Sequence, residues 1–347
     1  MEKLEQEKVI WLSLFAACKY GENAYQSPAA LYTNGQDDPL GLDKFKLIAG
    51  APLSYNNYCD LDRLLQTMTH IAATFDINRG YVPLIAIGVK HGNACGAGIS
   101  NDPGRAIEKM VTGDRQALFG GLVMVNFSIN TEEAELLLTH EANGRRLLDG
   151  IIAPEFSSDA VEMLKRKGDK CRFVVNPELT KLNRDSLDSA PIFRYVRGGY
   201  LVQPNYTYIF NLGDPAVKKY GKITEAEENN MLLAKAICDT SNSNTITLVS
   251  NVQLLANGVG QQSRVNGAEL AISLANNNGH VLKNSIAASD SFFPFTDGPR
   301  MLATAGVKAI IGTSGSVKDE EVIAFCQSDD IVLYLIPDTK GRGFFNH

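Results

Sequence analysis

Apolar runs of strand length alternate with segments of helical spacing along most of the chain. Runs of this length are typical of strands buried on both faces, and their alternation with helices is typical of α/β proteins. The pattern therefore predicts an α/β fold. In the first half the strand-like runs are residues 82–89, 122–127, 150–154 and 171–177, and the helical segments are residues 103–111, 131–142 and 157–167.

The same alternation returns after an irregular segment. The residues from about Leu179 to Tyr208 include Pro191 and Pro204, and we place a junction between two lobes there. A length of 347 residues also favours two domains, which we assign to residues 1–190 and 191–347. The second half has predicted helices at 224–239, 268–275 and 318–327, and predicted strands within 245–251, 252–260, 307–315 and 331–337.

The first 21 residues carry a short apolar stretch behind mixed charges. A basic region and a small-residue cleavage site are both missing, so we predict a first helix rather than a signal peptide. No apolar run in the sequence approaches the ~18 residues that a membrane-spanning helix needs. We therefore expect a cytoplasmic protein with no membrane partner.

Charge and cysteine usage exclude further classes of protein. The net charge is −6 and basic residues do not cluster, which disfavours nucleic acid as a partner because phosphate-backbone binding needs grouped Lys and Arg. Six cysteines are scattered without any CxxC spacing, so neither a disulfide framework nor a zinc site is expected.

The sharpest local feature is VKHGNACGAG, residues 89–98, which directly follows a predicted strand. Lys90 and His91 would emerge at the carboxyl end of that strand, the edge where open α/β sheets bind ligands. The small residues that follow would let a ligand or another backbone segment come close. A solvated turn is the alternative, and this segment alone does not decide between them. The other histidines, in helix-like, helix-end or terminal positions, are His70, His140, His280 and His347.

This segment resembles the Lys-His-x-Asn-Pro-Cys-Gly signature of the aminoimidazole carboxamide ribonucleotide (AICAR) transformylase half of the bifunctional purine enzyme that also carries IMP cyclohydrolase. Other blocks similar to that family occur in the family's order and span nearly the whole chain. They are KYGENAYQ (19–26), APLSYNNYCDLD (51–62), LFGGLV (118–123), DGIIAPEFSSDAVEMLKRK (149–167), VRGGYLVQ (196–203), SNSNTITLV (241–249), GVGQQSRV (258–265), SDSFFPFTDG (289–298) and GTSGSVKDEEVI (312–323).

The resemblance implies two cytidine-deaminase-like three-layer α/β/α lobes. It also implies a homodimer whose active sites combine residues of both subunits. In the family the cyclohydrolase domain precedes the block that begins here at residue 19, so we do not expect IMP cyclohydrolase activity from this chain.

The implied enzyme moves a formyl group from the co-substrate 10-formyltetrahydrofolate, a reduced folate, to the 5-amino group of AICAR in de novo purine biosynthesis. That amine is a weak nucleophile because its lone pair is delocalised. Catalysis therefore needs a base, a cation and tight positioning of both substrates. The resemblance gives His91 the role of general base, while Lys90 stabilises negative charge and assists departure of the folate nitrogen. No catalytic metal is expected.

The resemblance also places substrate contacts along the whole chain. Arginine suits phosphate, and an aromatic face suits a flat heterocycle. Without the resemblance, Asn244 would be a turn residue, Arg264 an ordinary helix-start residue, and Phe295 a core residue as readily as a contact. The implied substrate-binding residues are Lys19, Tyr20, Asn57, Phe119, Gly120, Asp149, Arg197, Asn244, Arg264, Phe292, Phe295, Asp297 and Arg342.

Several positions depart from the family pattern. Ala94 replaces the signature proline, Ala24 and Tyr25 replace a Pro-His pair, and Lys19 replaces an arginine. The end of the chain near Arg342 is also shifted. These departures leave two alternatives open: a formyltransferase for a related azole nucleotide, or a non-catalytic nucleotide-binding homologue. Zinc-dependent deamination is rejected because its HxE and PCxxC motifs do not occur.

Overall fold

The structure is a computed structural model that describes residues 7–345. It confirms the α/β fold. Within the described residues, twelve strands form one large mixed sheet, and four further strands form two separate two-stranded sheets. The strands are β1 (Ser13–Cys18), β2 (Ala29–Thr33), β3 (Lys46–Ala49), β4 (Leu84–Lys90), β5 (Asn93–Ser100), β6 (Leu122–Val125), β7 (Gly150–Ala153), β8 (Arg172–Val175), β9 (Ile192–Val196), β10 (Gly199–Gln203), β11 (Lys218–Tyr220), β12 (Ile246–Ser250), β13 (Gln253–Gly258), β14 (Ile286–Ser289), β15 (Ala309–Ser314) and β16 (Val332–Pro337).

The helices fall largely where the apolar spacing predicts them. They are α1 (Tyr55–Arg79), α2 (Pro103–Val111), α3 (Thr131–Thr139), α4 (Ser158–Leu164), α5 (Glu225–Asp239), α6 (Arg264–Asn277), α7 (Asp297–Thr304), α8 (Asp319–Ser328) and α9 (Asp338–Gly341), with short 3₁₀ helices at Leu42–Lys44, Pro177–Lys181 and Arg184–Ser186.

The large sheet joins both halves of the chain. Its strand order is β11-β16-β15-β14-β12-β13-β5-β4-β6-β7-β8-β3. Strands from the first half lie on one side and strands from the second half on the other. They meet at β5 and β13, where Gly98 is paired with Gln253. The division at residue 190 falls between β8 and β9 and stays a prediction.

Helices cover both faces of this sheet. On one face α1 and α5 pack side by side, and one hydrophobic core beneath them runs through both halves. On the other face, α2, α3 and α4 enclose a second core in the first half. On that same face, α6, α7 and α8 enclose a third hydrophobic core in the second half of the chain. The strands are therefore covered on both faces, which explains their continuous apolar runs.

The longest helix described, α1, was not predicted from the sequence. Ser54 caps its start, because its hydroxyl accepts from the backbone N–H of Asn57 while the Asn57 side chain accepts from the Ser54 backbone N–H. Gly80 ends it in the left-handed conformation, with φ of 75°. Its apolar residues lie on several faces, because α1 packs on the sheet and also against α5 beside it, so no clear stripe marks it in the sequence.

The predicted N-terminal helix is wrong over the described residues; residues 1–6 lie outside them. Residues 13–18 form β1, which pairs antiparallel with β2. This pairing decides the conformation, because β2 supplies ladder hydrogen bonds that a short apolar stretch does not reveal by itself. A second hairpin joins β9 and β10 inside the segment that had no predicted structure.

Both hairpins stand apart from the large sheet and expose apolar side chains. Trp11, just before β1, is 83% exposed, and Leu14 is 62% exposed. In the other hairpin Tyr200 and Leu201 are 62% and 61% exposed. Exposed apolar surface of this kind is typical of interaction sites. Within residues 7–345, no helix combines the length and apolarity that crossing a membrane requires.

Candidate functional site

The Lys-His segment forms the turn of a β-hairpin in the middle of the large sheet. β4 ends at Lys90, β5 begins at Asn93, and these two residues are paired. His91 and Gly92 make the two-residue turn, with φ of 50° and 74°. Positive φ at both central residues matches the twist of the flanking strands. Lys90 and His91 therefore emerge at the strand end, as the sequence predicts.

Lys90 is directed toward the loop before β6. Its Nζ donates to the backbone oxygen of Phe119 at 2.8 Å. Gly120 adopts φ of 70°, and a Cβ there would lie 3.1 Å from Lys90 Nζ and 3.8 Å from Asp149 Oδ1. The absent side chain therefore keeps the space between the ammonium and the carboxylate open. The structure thus brings Lys90, Phe119, Gly120 and Asp149 together.

His91 is exposed at the tip of the turn. Its backbone oxygen accepts from Asn93 Nδ2 at 3.2 Å, which ties the turn to the first residue of β5. Cys95 of the same motif is not available as a nucleophile, because burial raises its pKa to about 12 and keeps it a thiol. Nucleophilic thiolate chemistry is therefore disfavoured here, and the exposed imidazole and the ammonium are the groups suited to proton transfer and charge stabilisation.

A second cluster lies at the loop after β14. The Phe292 ring has two guanidinium groups near it: Arg264 at 5.9 Å and Arg342 at 5.5 Å from its centroid. Arg264 also donates to Asp290 Oδ1 at 3.3 Å, and Arg342 donates through Nε to Asp338 at 3.1 Å. Two cations near one aromatic ring suit an anionic ligand that carries a flat ring.

Two carboxylates, the buried Asp290 and the half-buried Asp338, hold this second cluster in place. Asp290 is fully buried and accepts from the Ser243 hydroxyl at 2.6 Å, next to Asn244. Burial by itself would raise the pKa of Asp338, but hydrogen bonds from Arg342 and Thr313 outweigh it and lower the pKa below its ordinary value. Asp338 therefore stays charged and keeps Arg342 oriented.

The Lys-His hairpin contacts the second half of the chain across the junction of the two halves. The backbone N–H of Asn242 donates to Asn93 Oδ1 at 3.1 Å. Asn257 Nδ2 donates to the Ala94 backbone oxygen at 3.2 Å. Asn244, which donates to the Gln261 oxygen at 2.8 Å, lies two residues beyond Asn242. The Lys-His turn and the loop that carries Asn244 are thus neighbours within one chain.

Other predicted contacts lie elsewhere or have structural partners. The Asn57 side chain is used in the cap of α1, and Asp297 begins α7 and accepts from the Gly298 N–H at 2.8 Å. Phe295 is 59% exposed, so the alternative that it is a core residue is wrong. Lys19 and Tyr20 follow β1, and exposed Arg197 lies in the turn between β9 and β10, on the two hairpins outside the large sheet.

A large cavity in the described chain does not include Lys90 or His91 in its lining. It has a volume of about 960 Å³ and lies against α1 and the segment before β9. Its carboxylates outnumber its single lysine, which disfavours a phosphate-bearing ligand. The candidate site is therefore the open surface at the Lys-His turn. The charged residues that line this cavity are Asp38, Asp43, Asp62, Glu178, Lys181, Asp185 and Asp188.

Three residues that hold the site together were not predicted from the sequence: Asp60, Arg63 and Asp290. Asp60 and Arg63 are three positions apart on α1 and contact the Lys-His turn. Their spacing would have placed them on one helix face had α1 been predicted. Asp290 follows β14 directly, at a strand end, and that position was its only signal.

Comparisons with known proteins identify relatives of the chain. The bifunctional purine biosynthesis protein PurH of Anoxybacillus flavithermus is 34% identical over 305 residues, which are 88% of this chain and 55% of that protein. Proteins of the same name from Rhodopirellula baltica and Prochlorococcus marinus are 32% and 31% identical, over 95% and 98% of this chain and 58% and 62% of their own lengths. The chain thus spans between 55% and 62% of these relatives. Residues 2–274 match the AICARFT/IMPCHase bienzyme family, and the chain belongs to that family.

Proposed function

We propose that the chain transfers the formyl group of 10-formyltetrahydrofolate to the 5-amino group of AICAR, as a cytoplasmic step of purine biosynthesis. The observation that carries the proposal is the hydrogen bond from the Asn242 N–H to Asn93 Oδ1, which joins the loop that carries Asn244 to the hairpin that carries Lys90 and His91. A potential base, an ammonium and an amide therefore lie on two adjoining segments at one junction of the sheet.

The reaction forms a bond between the substrate amine nitrogen and the formyl carbon, and it breaks the bond from that carbon to the folate nitrogen. His91 accepts the proton that the amine loses. Lys90, anchored on the Phe119 oxygen, stabilises the oxyanion of the tetrahedral intermediate and assists departure of the folate nitrogen. That nitrogen takes up the proton that His91 accepted, which returns the imidazole to its neutral form. No metal takes part in the proposed steps.

The second cluster supplies the nucleotide contacts in this proposal. Arg264 and Arg342 bind anionic groups of the ribonucleotide, and the Phe292 ring near them packs against a flat heterocycle. Asn244 pairs with the carboxamide or the ring edge. Gly120 leaves space beside Lys90 for the substrate.

We also propose that the active form is a homodimer with shared active sites. Two observations support it: the apolar side chains exposed on both hairpins, and the position of Lys19, Tyr20 and Arg197 on those same hairpins. If both hairpins pack against a second copy of the chain, these predicted phosphate contacts would reach the partner's site. The dimer would cover the apolar surface at the same time.

The test combines an activity assay with a binding assay. Purified protein is incubated with AICAR and 10-formyltetrahydrofolate, and the product is identified by the mass of one added CO. We expect His91→Ala to lower turnover by about 10²–10⁴-fold, and Lys90→Ala to lower it at least as far, while both variants still bind AICAR.

His140→Ala is the matched control, because His140 lies at the end of α3, away from the Lys-His turn, and turnover should be unchanged. A folded wild-type protein that binds AICAR without turning it over contradicts the proposed reaction. Turnover of a related azole nucleotide instead would establish the diverged formyltransferase. No turnover of any azole nucleotide would favour the non-catalytic homologue.

A further inference from the structure

Arg63 is a buried cation between the two halves of the chain. It lies on α1, is only 5% exposed, and takes no part in the proposed chemistry. Burial lowers its pKa to about 10, against the opposing effect of Asp62 and Asp60, so it is still charged at neutral pH. A buried charge is expensive to desolvate and is kept only where its hydrogen bonds are specific.

On one side, Arg63 holds the Lys-His turn. Its Nε donates to the backbone oxygen of Gly92 at 2.9 Å. Asp60, one helical turn earlier on the same face of α1, accepts from the N–H of Gly92 at 2.7 Å. Arg63 therefore binds the carbonyl of Gly92, and Asp60 binds its N–H. These two contacts fix the orientation of the peptide units next to His91.

On the other side, Arg63 holds the loop that leads to Asn244. Its Nη2 donates to the backbone oxygen of Thr240 and lies 3.4 Å from Asn242 Oδ1. Its guanidinium carbon is 3.7 Å from the ring centroid of Phe345, near the C-terminus. One planar group thus contacts the turn, the loop and the terminal segment together, which its forked geometry permits and a lysine ammonium does not.

The turn held by Asp60 and Arg63 needs positive φ at both of its central residues. His91 has a side chain yet adopts a left-handed backbone, with φ of 50°. Such a conformation persists where surrounding contacts determine it. Those contacts come from Asp60 and Arg63 on α1, together with Asn93 in the hairpin itself.

We propose that Arg63 is a positioning residue: it sets the Lys90–His91 turn against the loop that bears Asn244, so that the base and the nucleotide contact face one substrate. This inference rests on the proposed function. It adds a determinant outside the substrate contacts, acting through the Gly92 and Thr240 carbonyls and not through the substrate.

The test compares Arg63→Ala with a matched control on the same helix. Arg79 also joins α1 to α5, through Asn229 at 2.7 Å and Glu228 at 2.8 Å, but at the other end of α1. We expect Arg63→Ala to lower kcat by at least tenfold per AICAR-binding site, with the number of sites unchanged. Arg79→Ala should keep kcat within twofold of the wild type.

Two further measurements separate positioning from general stability. Low millimolar guanidinium should raise the turnover of Arg63→Ala at least threefold, because the ion can occupy the space beside Phe345. Sodium chloride of equal ionic strength should not raise it. Arg63→Lys retains the charge but not the fork, so its kcat should stay at least fivefold below wild type even if Arg63→Ala does not fold. Wild-type kcat in Arg63→Lys would overturn the proposal, as would a loss of turnover that only tracks a loss of binding sites.

Hydrogen exchange distinguishes failure of this inference from failure of the proposed function. Arg63→Ala should raise exchange in peptides that cover residues 88–94 and 240–245 together, and Arg79→Ala in neither. If the wild-type protein does not transfer the formyl group but Arg63→Ala raises exchange in both peptides, the proposed reaction is refuted. The role of Arg63 in holding the turn and the loop is then still supported. Unchanged exchange in both peptides would refute the role of Arg63.

Discussion

His91 and His70 carry the same side chain in opposite environments. His91 is exposed at a turn, whereas His70 is buried within α1, where its ring stacks on Tyr206 with centroids 5.8 Å apart. His70 Nδ1 lies 2.9 Å from the Gln66 backbone oxygen and must carry the proton, because a carbonyl oxygen only accepts. Burial lowers the pKa of His70 to about 4, so this ring is neutral at physiological pH.

This burial predicts a dependence of stability on pH. In the unfolded chain His70 takes up a proton near its ordinary pKa of about 6.5, whereas the folded chain resists protonation until about pH 4. Protons therefore favour the unfolded state in this window. The His70 contribution to the free energy of unfolding should be constant above pH 7 and smaller by about 2 kcal/mol at pH 5.

Denaturant titrations of wild type and His70→Gln between pH 8 and pH 5 measure this contribution. The difference in free energy of unfolding between the two proteins should be constant from pH 8 to pH 7, which is an internal control. At pH 5 the wild type should have lost about 2 kcal/mol relative to the variant. Parallel curves over the whole range would show that His70 is protonated equally in both states.

At the scale of elements, β5 and α2 pack with almost no space between them. The sequence left open whether the small residues of β5 admit a ligand or another backbone segment, and the structure shows the backbone of α2. A Cβ on Gly98 would overlap the Lys109 side chain and lie 2.7 Å from the Ala106 oxygen. A Cβ on Gly96 would collide with the Met110 oxygen.

Gly98→Ala should therefore force α2 away from the sheet and lower the free energy of unfolding by about 1–3 kcal/mol. The matched control is Gly199→Ala in β10, where nothing lies within 4 Å of the added carbon, and the change should be within about 0.5 kcal/mol. Urea denaturation followed by circular dichroism compares the two variants. Equal stability of both would mean that the packing of α2 on β5 yields easily.

Element prediction succeeded where burial on both faces left continuous apolar runs, as in β4, β6 and β7. It failed for β1, which depends on its pairing with β2. It also missed α1, whose buried faces leave no simple stripe. Local patterns report burial well, but they do not report which partner provides it.

At the scale of the whole molecule, the two hairpins expose apolar side chains that a single chain leaves uncovered. We expect wild-type protein to sediment as a dimer, and both Leu14→Glu and Leu201→Glu to shift it toward monomer, because a charge in an apolar interface is not compensated. Turnover should fall together with dimerisation, since the sites are proposed to be shared.

Val317→Glu is the control for this prediction, because Val317 is 98% exposed outside both hairpins and its substitution should leave the dimer intact. Sedimentation velocity at several concentrations gives the association state of each variant. A fully active wild-type monomer would contradict the shared-site dimer, and an unchanged dimer in both hairpin variants would move the interface elsewhere.

The sequence by itself determined the α/β class, the position of Lys90 and His91 at a strand end, and the family. All three depend on short stretches of chain, where apolar spacing and motif order are directly legible. The tertiary structure decided which of these stretches meet. Arg63 and Thr240 are 177 residues apart, so no local pattern could pair them. Their contact exists because α1 and α5 pack over one continuous sheet, and that packing brings the turn with His91 against the loop with Asn244.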